Sequence, residues 1–379
     1  MDSKKIIISG MLIAAVIGGI FYLDSKKVSR NVIGGKVEVK TTANKEEKTK
    51  KYPVAKEITT PDGFINTGLN PDGSAKTISI GEFVGKKVVL LDIWTYSCIN
   101  CKRTTPYLNA WYEKYKDDGL VIIGLHTPEF EFEKVYENVL AATQRLQIKY
   151  PVVLDNDYST WTAYQNRFWP RKYLIDIDGF VVYDHIGEGG YEETEAKIIE
   201  LLNERSARLG TDAVATEGGA VSGVDATDFS KIKTPEVYFG ASRVQYLANL
   251  PTSGCKDGVC NFASLGNPAL NTFEFSGAWK INDEGAVLEG GGGSVFLRFS
   301  ANKANLVAGA TGNPVRAEIY LDGKKVPDET AGDAVQRGTV TFGMHDLYNL
   351  IDLKGNYGEH ILEIRFLDSG VSAFAFTFG

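Results

Sequence analysis

The chain has 379 residues, of which 43% are hydrophobic and 23% are charged. This composition is typical of globular domains and excludes a chain that is disordered throughout, and the length fits two or three domains. The formal net charge of −7 argues against a nucleic-acid-binding protein. The chain has only four histidines, too few for a His-rich metal centre, and only four cysteines, too few for a disulfide-dense scaffold.

The N-terminal segment carries a long uncharged run, residues 6–23, with lysines on both sides. As a helix this run is about 27 Å long at ~1.5 Å per residue, close to the ~30 Å hydrocarbon core of a bilayer. No A-x-A cleavage pattern follows it, so we favour an uncleaved anchor over 1–23, with a cleaved signal peptide and a buried core helix as alternatives. More Lys and Arg follow the run than precede it, and this count alone favours a cytoplasmic body.

Residues 24–59 predict a polar tether, because they are rich in Lys, Thr and Glu and show no apolar periodicity. Residues 2–57 hold 12 Lys and Arg against 6 Asp and Glu, whereas the rest of the chain holds 29 against 42. The basic excess of this segment suits anionic lipid headgroups.

Strand and helix patterns alternate over residues 60–208. Continuous apolar runs predict buried strands at 87–94, 120–125 and 151–154, and an Asp-Gly turn between two further apolar runs predicts a hairpin over 172–184. Amphipathic patterns predict helices over 98–116, 131–147, 158–167 and 192–208. The alternation indicates an α/β layered domain that ends in an antiparallel hairpin.

The remaining chain divides into a linker and a second domain. Residues 209–233 are rich in Gly, Ala, Thr and Asp, which predicts an interdomain linker. Over 234–379, short β-rich runs are separated by turn signals and long helical patterns are absent. This pattern predicts an all-β sandwich, of the jelly-roll kind.

The most informative motif is the Cys-x-x-Cys pair formed by Cys98 and Cys101, which follows a buried strand and opens a helix. Free backbone N–H groups at a helix start stabilise an anion, so the pattern predicts Cys98 as the nucleophilic thiolate. Cys101, one helical turn further on, is positioned to attack the mixed disulfide. The alternatives are a structural disulfide and a metal site. The metal site needs two more ligands, such as Cys255 and Cys260, so we expect no metal.

The residues around this pair resemble the thioredoxin superfamily. Asp92 stands six residues before Cys98, Trp94 stands four before it, and Pro106 stands five after Cys101, as in that superfamily. The segment 78–93 and the helix predicted over 131–147 are similar to TlpA-like, membrane-tethered thioredoxins. The resemblance implies a thioredoxin-like fold for residues 60–208.

A fuller resemblance, over about residues 60–379, is to the extracytoplasmic part of DipZ-type cytochrome c biogenesis proteins. The stretches that carry it are 94–134, 150–179, 234–243 and 347–379. It implies a cofactor-free thiol–disulfide oxidoreductase, on a single-pass anchor in the cell membrane with its body extracytoplasmic. Its implied substrates are disulfide-containing exported proteins, with cytochrome c maturation as one setting. DipZ-type proteins carry a multi-span electron-conducting domain where this chain has one predicted anchor, which implies that the membrane electron donor is a separate protein or is absent.

The resemblance also assigns roles to single residues. Pro170, preceded by Trp169, matches the cis-proline that faces the cysteines, and an ordinary turn proline is the alternative. Asp92 matches a buried carboxylate beneath Cys101 whose raised pKa suits a proton relay, and a structural strand-end acid is the alternative. TlpA-type reductases often carry a Glu where this chain has Thr104. Two further residues are candidates for proton management, His126 and Glu129.

The second cysteine pair, Cys255 and Cys260, encloses four residues that include Asp-Gly. A small disulfide loop is its simplest interpretation in an oxidising compartment, with a second redox pair or a ligand pair as alternatives. The surrounding domain resembles carbohydrate-binding modules, and glycan binding, protein docking and a structural role all remain open. The aromatic candidates for stacking on sugars are Trp279, Tyr320, Tyr348 and Tyr357. The rival to the enzyme hypothesis is therefore an anchored glycan- or protein-binding module in which the first cysteine pair is secondary.

Overall fold

The structure, a computed structural model, describes residues 45–214, 221 and 227–379. The predicted membrane anchor, 1–23, lies outside these residues, as do the first part of the predicted tether and much of the predicted linker. Every helix within the described ranges is too short or too polar to cross a bilayer.

The first domain is built on a six-stranded mixed sheet flanked by helices. Its strands are β1 (Gly63–Ile65), β2 (Val88–Trp94), β3 (Leu120–His126), β4 (Val152–Leu154), β5 (Arg171–Ile175) and β6 (Val181–Ile186). The helices described before residue 215 are α1 (Lys45–Lys51), α2 (Ile99–Tyr115), α3 (Tyr136–Arg145), α4 (Ser159–Ala163) and α5 (Tyr191–Leu209). The strand order is β1-β4-β3-β2-β5-β6, in which β2, β3 and β4 run parallel and the other pairings are antiparallel.

Strands β2 and β3 lie at the centre because their continuous apolar sequences allow both faces of the sheet to be covered. Every residue of both strands is buried. On one face of β2, Leu90 belongs to the apolar core that includes residues of α2 and α5. On the other face, Val89 and Leu91 belong to a second core. The central strands predicted from the sequence are confirmed, and β2 leads directly into the cysteine motif.

Several local predictions for the first domain differ from the structure. The helix predicted over 131–147 divides into a 3-10 turn, Glu131–Lys134, and α3, because Val135 between them has extended backbone (φ −74°, ψ 116°). The helix predicted over 158–167 ends with α4, and Gln165 beyond it has a positive φ of 51°. Strand β1 was not predicted, since its three residues gain their order from pairing with β4.

The predicted tether is wrong from residue 45 onward, because that segment packs on the first domain. Lys48 of α1 contacts three carboxylates, with Nζ 2.7 Å from Asp176, 3.1 Å from Asp178 and 2.5 Å from Glu204. Its side chain is only 5% exposed. These three acids form a group with metal-ligand spacing among the described residues, and the Lys48 ammonium already supplies a cation there. The polar composition of this segment reflects a buried ion-pair cluster as well as solvated surface.

The second domain is all β over the described residues 227–379. Its strands are β7 (Val237–Tyr238), β8 (Val259–Phe262), β9 (Phe273–Ile281), β10 (Ala286–Leu288), β11 (Gly293–Ala301), β12 (Lys303–Ala310), β13 (Val315–Leu321), β14 (Lys324–Lys325), β15 (Thr339–Phe342), β16 (Asp346–Asp352), β17 (Gly358–Phe366) and β18 (Val371–Phe378). They pair in the order β14-β13-β17-β11-β9-β10-β18-β12-β16, while β7, β8 and β15 pair with β18, β9 and β13.

This sheet folds over at β9 into two layers. Gly277 (φ 100°) stands where β9 stops pairing with β11 and starts pairing with β10, and a Cβ there would lie 3.0 Å from the Cα of Gly293. Side chains from both halves share one apolar core, in which Phe299 of β11 stacks on Phe378 of β18 with ring centroids 5.8 Å apart. The predicted all-β sandwich is therefore present.

The two domains dock through an aromatic cluster close to the cysteine motif. Phe130 and Phe132, which follow β3, pack against Phe374 of β18 with ring centroids 5.2 and 4.7 Å apart. The ring of His345 stacks on Phe132 at 4.9 Å. Charged contacts surround this cluster, among them Lys102 Nζ to Asp346 at 2.9 Å. The second domain is thereby held next to the start of α2.

Candidate active site

Cys98 lies where the chain leaves β2 and enters α2. It is the N-cap of α2, and its Sγ accepts a hydrogen bond from the backbone N–H of Cys101 at 3.3 Å. A helix start leaves such N–H groups without intrahelical partners, so the fold supplies a donor for a thiolate at this sulfur. Pro106 lies inside α2, one turn beyond Cys101.

The two cysteines of the motif differ in access to solvent. Both are free thiols; Cys98 is half-buried, whereas Cys101 is 2% exposed and belongs to the apolar core beneath α2. A visiting disulfide can therefore reach Cys98 first, and Cys101 only after a bond to Cys98 has formed. Burial, together with the hydrogen bond that the Cys101 thiol donates to the Cys98 sulfur, raises the pKa of Cys101, so this thiol holds its proton more tightly than a free cysteine does.

Trp169 and Pro170 face the motif from the loop before β5. The peptide bond between them is cis, and the carbonyl oxygen of Trp169 lies 4.0 Å from the Cys98 Sγ. The indole N–H of Trp169 donates to the carbonyl of Thr127 at 2.9 Å, and its ring packs on Trp161 with centroids 4.3 Å apart. The sequence placed both residues beside the cysteines, and the structure brings them there.

Asp92 and Lys172 form a buried pair on neighbouring strands beneath the motif. They are directly opposite each other in the antiparallel pairing of β2 and β5, and both side chains are buried. Burial raises the pKa of Asp92 to about 7, against the opposing attraction of Lys172. Burial likewise lowers the pKa of Lys172, whose Nζ donates to the carbonyl of Gly187 at 3.1 Å. Asp92 can therefore exchange a proton near neutral pH.

The two other candidates for proton management are held by groups other than Cys101, although Glu129 lines a cleft that also includes Cys98. His126 is fully buried, its Nε2 is 3.4 Å from Thr95 Oγ1, and its ring meets that of Trp94 edge-on at 5.2 Å. Burial lowers the pKa of His126 to about 3, so the imidazole stays neutral near pH 7. Glu129 turns toward the second domain, where its Oε1 is 2.6 Å from Arg243 Nη1. Neither geometry supports proton exchange with Cys101.

Sequence reasoning missed Glu133, which braces the loop before Cys98. This buried carboxylate accepts hydrogen bonds from Ser97 Oγ at 2.7 Å and from the backbone N–H groups of Ser97, Glu129 and Phe130 at 3.2, 2.6 and 3.0 Å. Burial raises its pKa to about 7. The sequence contains Glu133 in the segment EFEK, which the predicted amphipathic helix over 131–147 placed on its solvent-exposed face. Lys172 was also missed, although it is the first residue of the hairpin predicted over 172–184 and the second residue of β5.

The second cysteine pair lies in the β domain, far along the sequence from Cys98 and Cys101. Cys255 and Cys260 form a disulfide beside β8, with Cα atoms 4.2 Å apart. Of the aromatic residues proposed for sugar stacking, Trp279 is fully buried in the core, and its indole N–H donates to Ser276 O at 3.0 Å. Tyr320, Tyr348 and Tyr357 are each partly exposed. Trp279 is therefore a core residue and is unavailable to a glycan.

Residues 55–184 match the AhpC/TSA family, and residues 234–379 match the family described as thioredoxin like C-terminal domain. Protein DipZ of Mycobacterium tuberculosis is 36% identical over 323 residues, which cover 85% of this chain and 43% of that protein. The chain thus spans less than half the length of this relative.

Two shorter similarities cover the first domain. Thiol-disulfide oxidoreductase ResA of Bacillus cereus is 34% identical over 138 residues, 36% of this chain and 74% of that protein. The crystal structure of StoA from Bacillus subtilis is 20% identical, covers 38% of this chain and 96% of its own, and has a TM-score of 0.30. On this similarity to ResA, of which the chain covers 74%, together with the two family matches, this chain belongs to the thioredoxin superfamily, with an AhpC/TSA domain over residues 55–184 and a thioredoxin-like C-terminal domain over residues 234–379.

Proposed function

We propose that this chain is a membrane-anchored, extracytoplasmic thiol–disulfide oxidoreductase that reduces or exchanges disulfides in exported proteins. The observation that carries the proposal is the unequal access of two free thiols, with Cys98 half-buried at a helix start and Cys101 buried one turn behind it. Similarity to proteins named thiol-disulfide oxidoreductases supports it. Cytochrome c maturation, implied by the resemblance to DipZ-type proteins, is one setting for this activity.

In the reductive direction, the Cys98 thiolate attacks one sulfur of a substrate disulfide. A bond forms between Cys98 and that sulfur, the substrate S–S bond breaks, and the other sulfur leaves as a thiolate that takes up a proton. Cys101 then loses its proton and attacks the Cys98 Sγ, which closes the Cys98–Cys101 disulfide and releases the second substrate thiol. Two electrons pass to the substrate, and an external thiol reductant returns them. The same steps in reverse oxidise a substrate dithiol.

Our proposal assigns to Asp92 the proton that Cys101 loses. After burial and the contact with Cys98, the charge of the Asp92 carboxylate is a further cause of the raised pKa of Cys101. A carboxyl with a pKa of about 7 is close to half-ionised at neutral pH, which suits both proton uptake and return. Lys172 opposite stabilises the ionised form.

One observation supports a membrane anchor, and a second supports a location outside the cytoplasm. Residues 6–23 are uncharged and long enough to span a bilayer. The Cys255–Cys260 disulfide fits an oxidising compartment, since cytosolic thiols are kept reduced.

The test is disulfide reduction by the full chain in detergent with dithiothreitol as reductant. Cys98→Ser should abolish turnover, and Cys101→Ser should accumulate mixed disulfides that a nonreducing gel resolves. The matched control is the double variant Cys255→Ser/Cys260→Ser, which also lacks two sulfurs and should keep its activity. Full turnover by Cys98→Ser would refute the proposal.

A further inference from the structure

A cleft of about 310 Å³ opens beside Cys98, and the two domains form its opposite walls. The first domain contributes Cys98, Phe168 and Trp169. The second contributes residues of and near β7, β12 and β18, among them Glu236, Tyr238, Val307 and Thr377. Since every route to Cys98 through this cleft passes between the two walls, the second domain is part of the site itself.

The second-domain wall is fixed in position by contacts at the edge of the cleft. Arg243 pairs with Glu129 at 2.6 Å, and its guanidinium lies over the Phe130 ring at 4.9 Å. The Tyr238 hydroxyl donates to Glu129, 3.0 Å away, or to Glu236, 2.9 Å away. Arg103, in the first turns of α2, donates to the carbonyl of Phe378 at 3.1 Å. Contacts on both sides of the motif hold the cleft at one width.

The walls of the cleft are mixed in chemistry, with an apolar centre. Phe168 is 47% exposed directly beside Trp169, although a large aromatic side chain loses free energy in contact with water. Val307 and Ala375 lie behind the other wall and are each only 2% exposed, so Phe168 is the main apolar contact that the cleft offers. Two charged residues on opposite walls are exposed, Arg167 and Glu236. An occupant therefore gains by burying an apolar group against Phe168.

On the basis of the proposed function, we infer that the second domain forms half of the substrate site and selects an extended, unfolded polypeptide segment with an apolar residue beside its reacting cysteine. The cleft volume lies at the low end of the range for small-ligand pockets, so it admits one strand of chain and excludes a folded surface. Unfolded segments expose the apolar side chains that Phe168 requires, whereas folded proteins bury most of theirs. Glu236 lines the path of such a segment on the far wall.

The test uses the full chain with Glu236→Trp, which fills the cleft from an exposed position of the second domain. The matched control is Glu289→Trp, an exposed glutamate of the same domain outside the cleft. Three substrates are compared, with dithiothreitol as reductant: bis(2-hydroxyethyl) disulfide as a small reagent slimmer than a polypeptide, a short unstructured peptide joined into a dimer by one disulfide with Leu beside each cysteine, and the same peptide with Ser in place of Leu.

We expect the wild-type chain to use the Leu peptide about tenfold better than the Ser peptide. Glu236→Trp should lower kcat/KM for the Leu peptide about tenfold through a higher KM, and change the small reagent by less than about twofold. Unchanged peptide kinetics in Glu236→Trp, or equal losses on peptide and small reagent, would overturn the inference. Neither result would affect the proposed function, which instead fails if Cys98→Ser remains active on the small reagent.

Discussion

Asp92→Asn tests the electrostatics beneath the cysteine motif, because it removes an ionisable group and keeps its shape. The pKa of Asp92 rises from 3.8 to about 7 on burial, which corresponds to about 4 kcal/mol at ~1.4 kcal/mol per pH unit. The folded protein binds this proton more tightly than the unfolded chain does. The contribution of Asp92 to the free energy of unfolding therefore falls as pH rises from about 4 to about 7, and then levels off.

An asparagine carries no such dependence, so the variant should gain stability over the wild-type chain as pH rises. The difference should be small at pH 4 and should approach about 4 kcal/mol at pH 8 as an upper limit. Loss of the Asp92 charge also removes an attraction that supports protonated Lys172, which reduces the gain. Urea unfolding of the reduced protein at pH 4, 6 and 8 measures the difference in the free energy of unfolding between Asp92→Asn and the wild-type chain. The control is Asp117→Asn, at an exposed position.

The same substitution should act in the opposite direction on turnover. Without a carboxylate to take the proton of Cys101, closure of the Cys98–Cys101 disulfide should slow at pH 7, and mixed disulfide should persist longer in a quenched-flow assay. A variant that is more stable and slower cannot be explained by damaged folding. The reasoning fails if Asp92→Asn is no more stable than the wild-type chain at pH 8, or if it resolves mixed disulfides at the wild-type rate.

Two further substitutions address the supports of the first domain. Lys48→Met should destabilise the chain by about 3 kcal/mol in urea unfolding, because it leaves three acids without their shared cation. The control, Lys50→Met at an exposed position of the same helix, should have little effect. Equal stability of the two variants would contradict this prediction. Glu133→Gln should lower the free energy of unfolding by about 2 kcal/mol and slow the reaction of Cys98 with iodoacetamide, because an amide cannot accept hydrogen bonds from donors on both sides. The control is Glu131→Gln on the same turn. An alkylation rate equal to that of the wild-type chain would contradict a bracing role for Glu133.

Local sequence signals predicted the parts of the site that depend on neighbours in the chain. The apolar run of β2 and the helix start that follows it placed Cys98 and Cys101 correctly, because continuous hydrophobicity and helical spacing are properties of a few consecutive residues. The two-layer β domain was also predictable from its short runs and turn signals. These elements need no knowledge of distant contacts.

The missed residues depend on pairings that are remote in sequence. Lys172, 80 positions after Asp92, meets it only because β5 lies beside β2, and a lysine in a strand ordinarily predicts a solvated face. Lys48 is similar: its charge favoured a solvated tether, and three acids far along the chain make it a buried residue. Burial of a charge is decided by its partners, and a single sequence does not show them.

The placement of Glu129 and Glu133 indicates how the two domains share the site. Glu133 holds Ser97, next to the reactive sulfur, and also holds the backbone N–H groups of Glu129 and Phe130. Those two residues are the ones that the second domain contacts through Arg243. The loop that positions the nucleophile and the loop that docks the second domain are therefore joined by one buried carboxylate. On the two proposals above, the proton chemistry lies below the motif, at Asp92, and the surface that meets the substrate lies above it and is completed by the β domain.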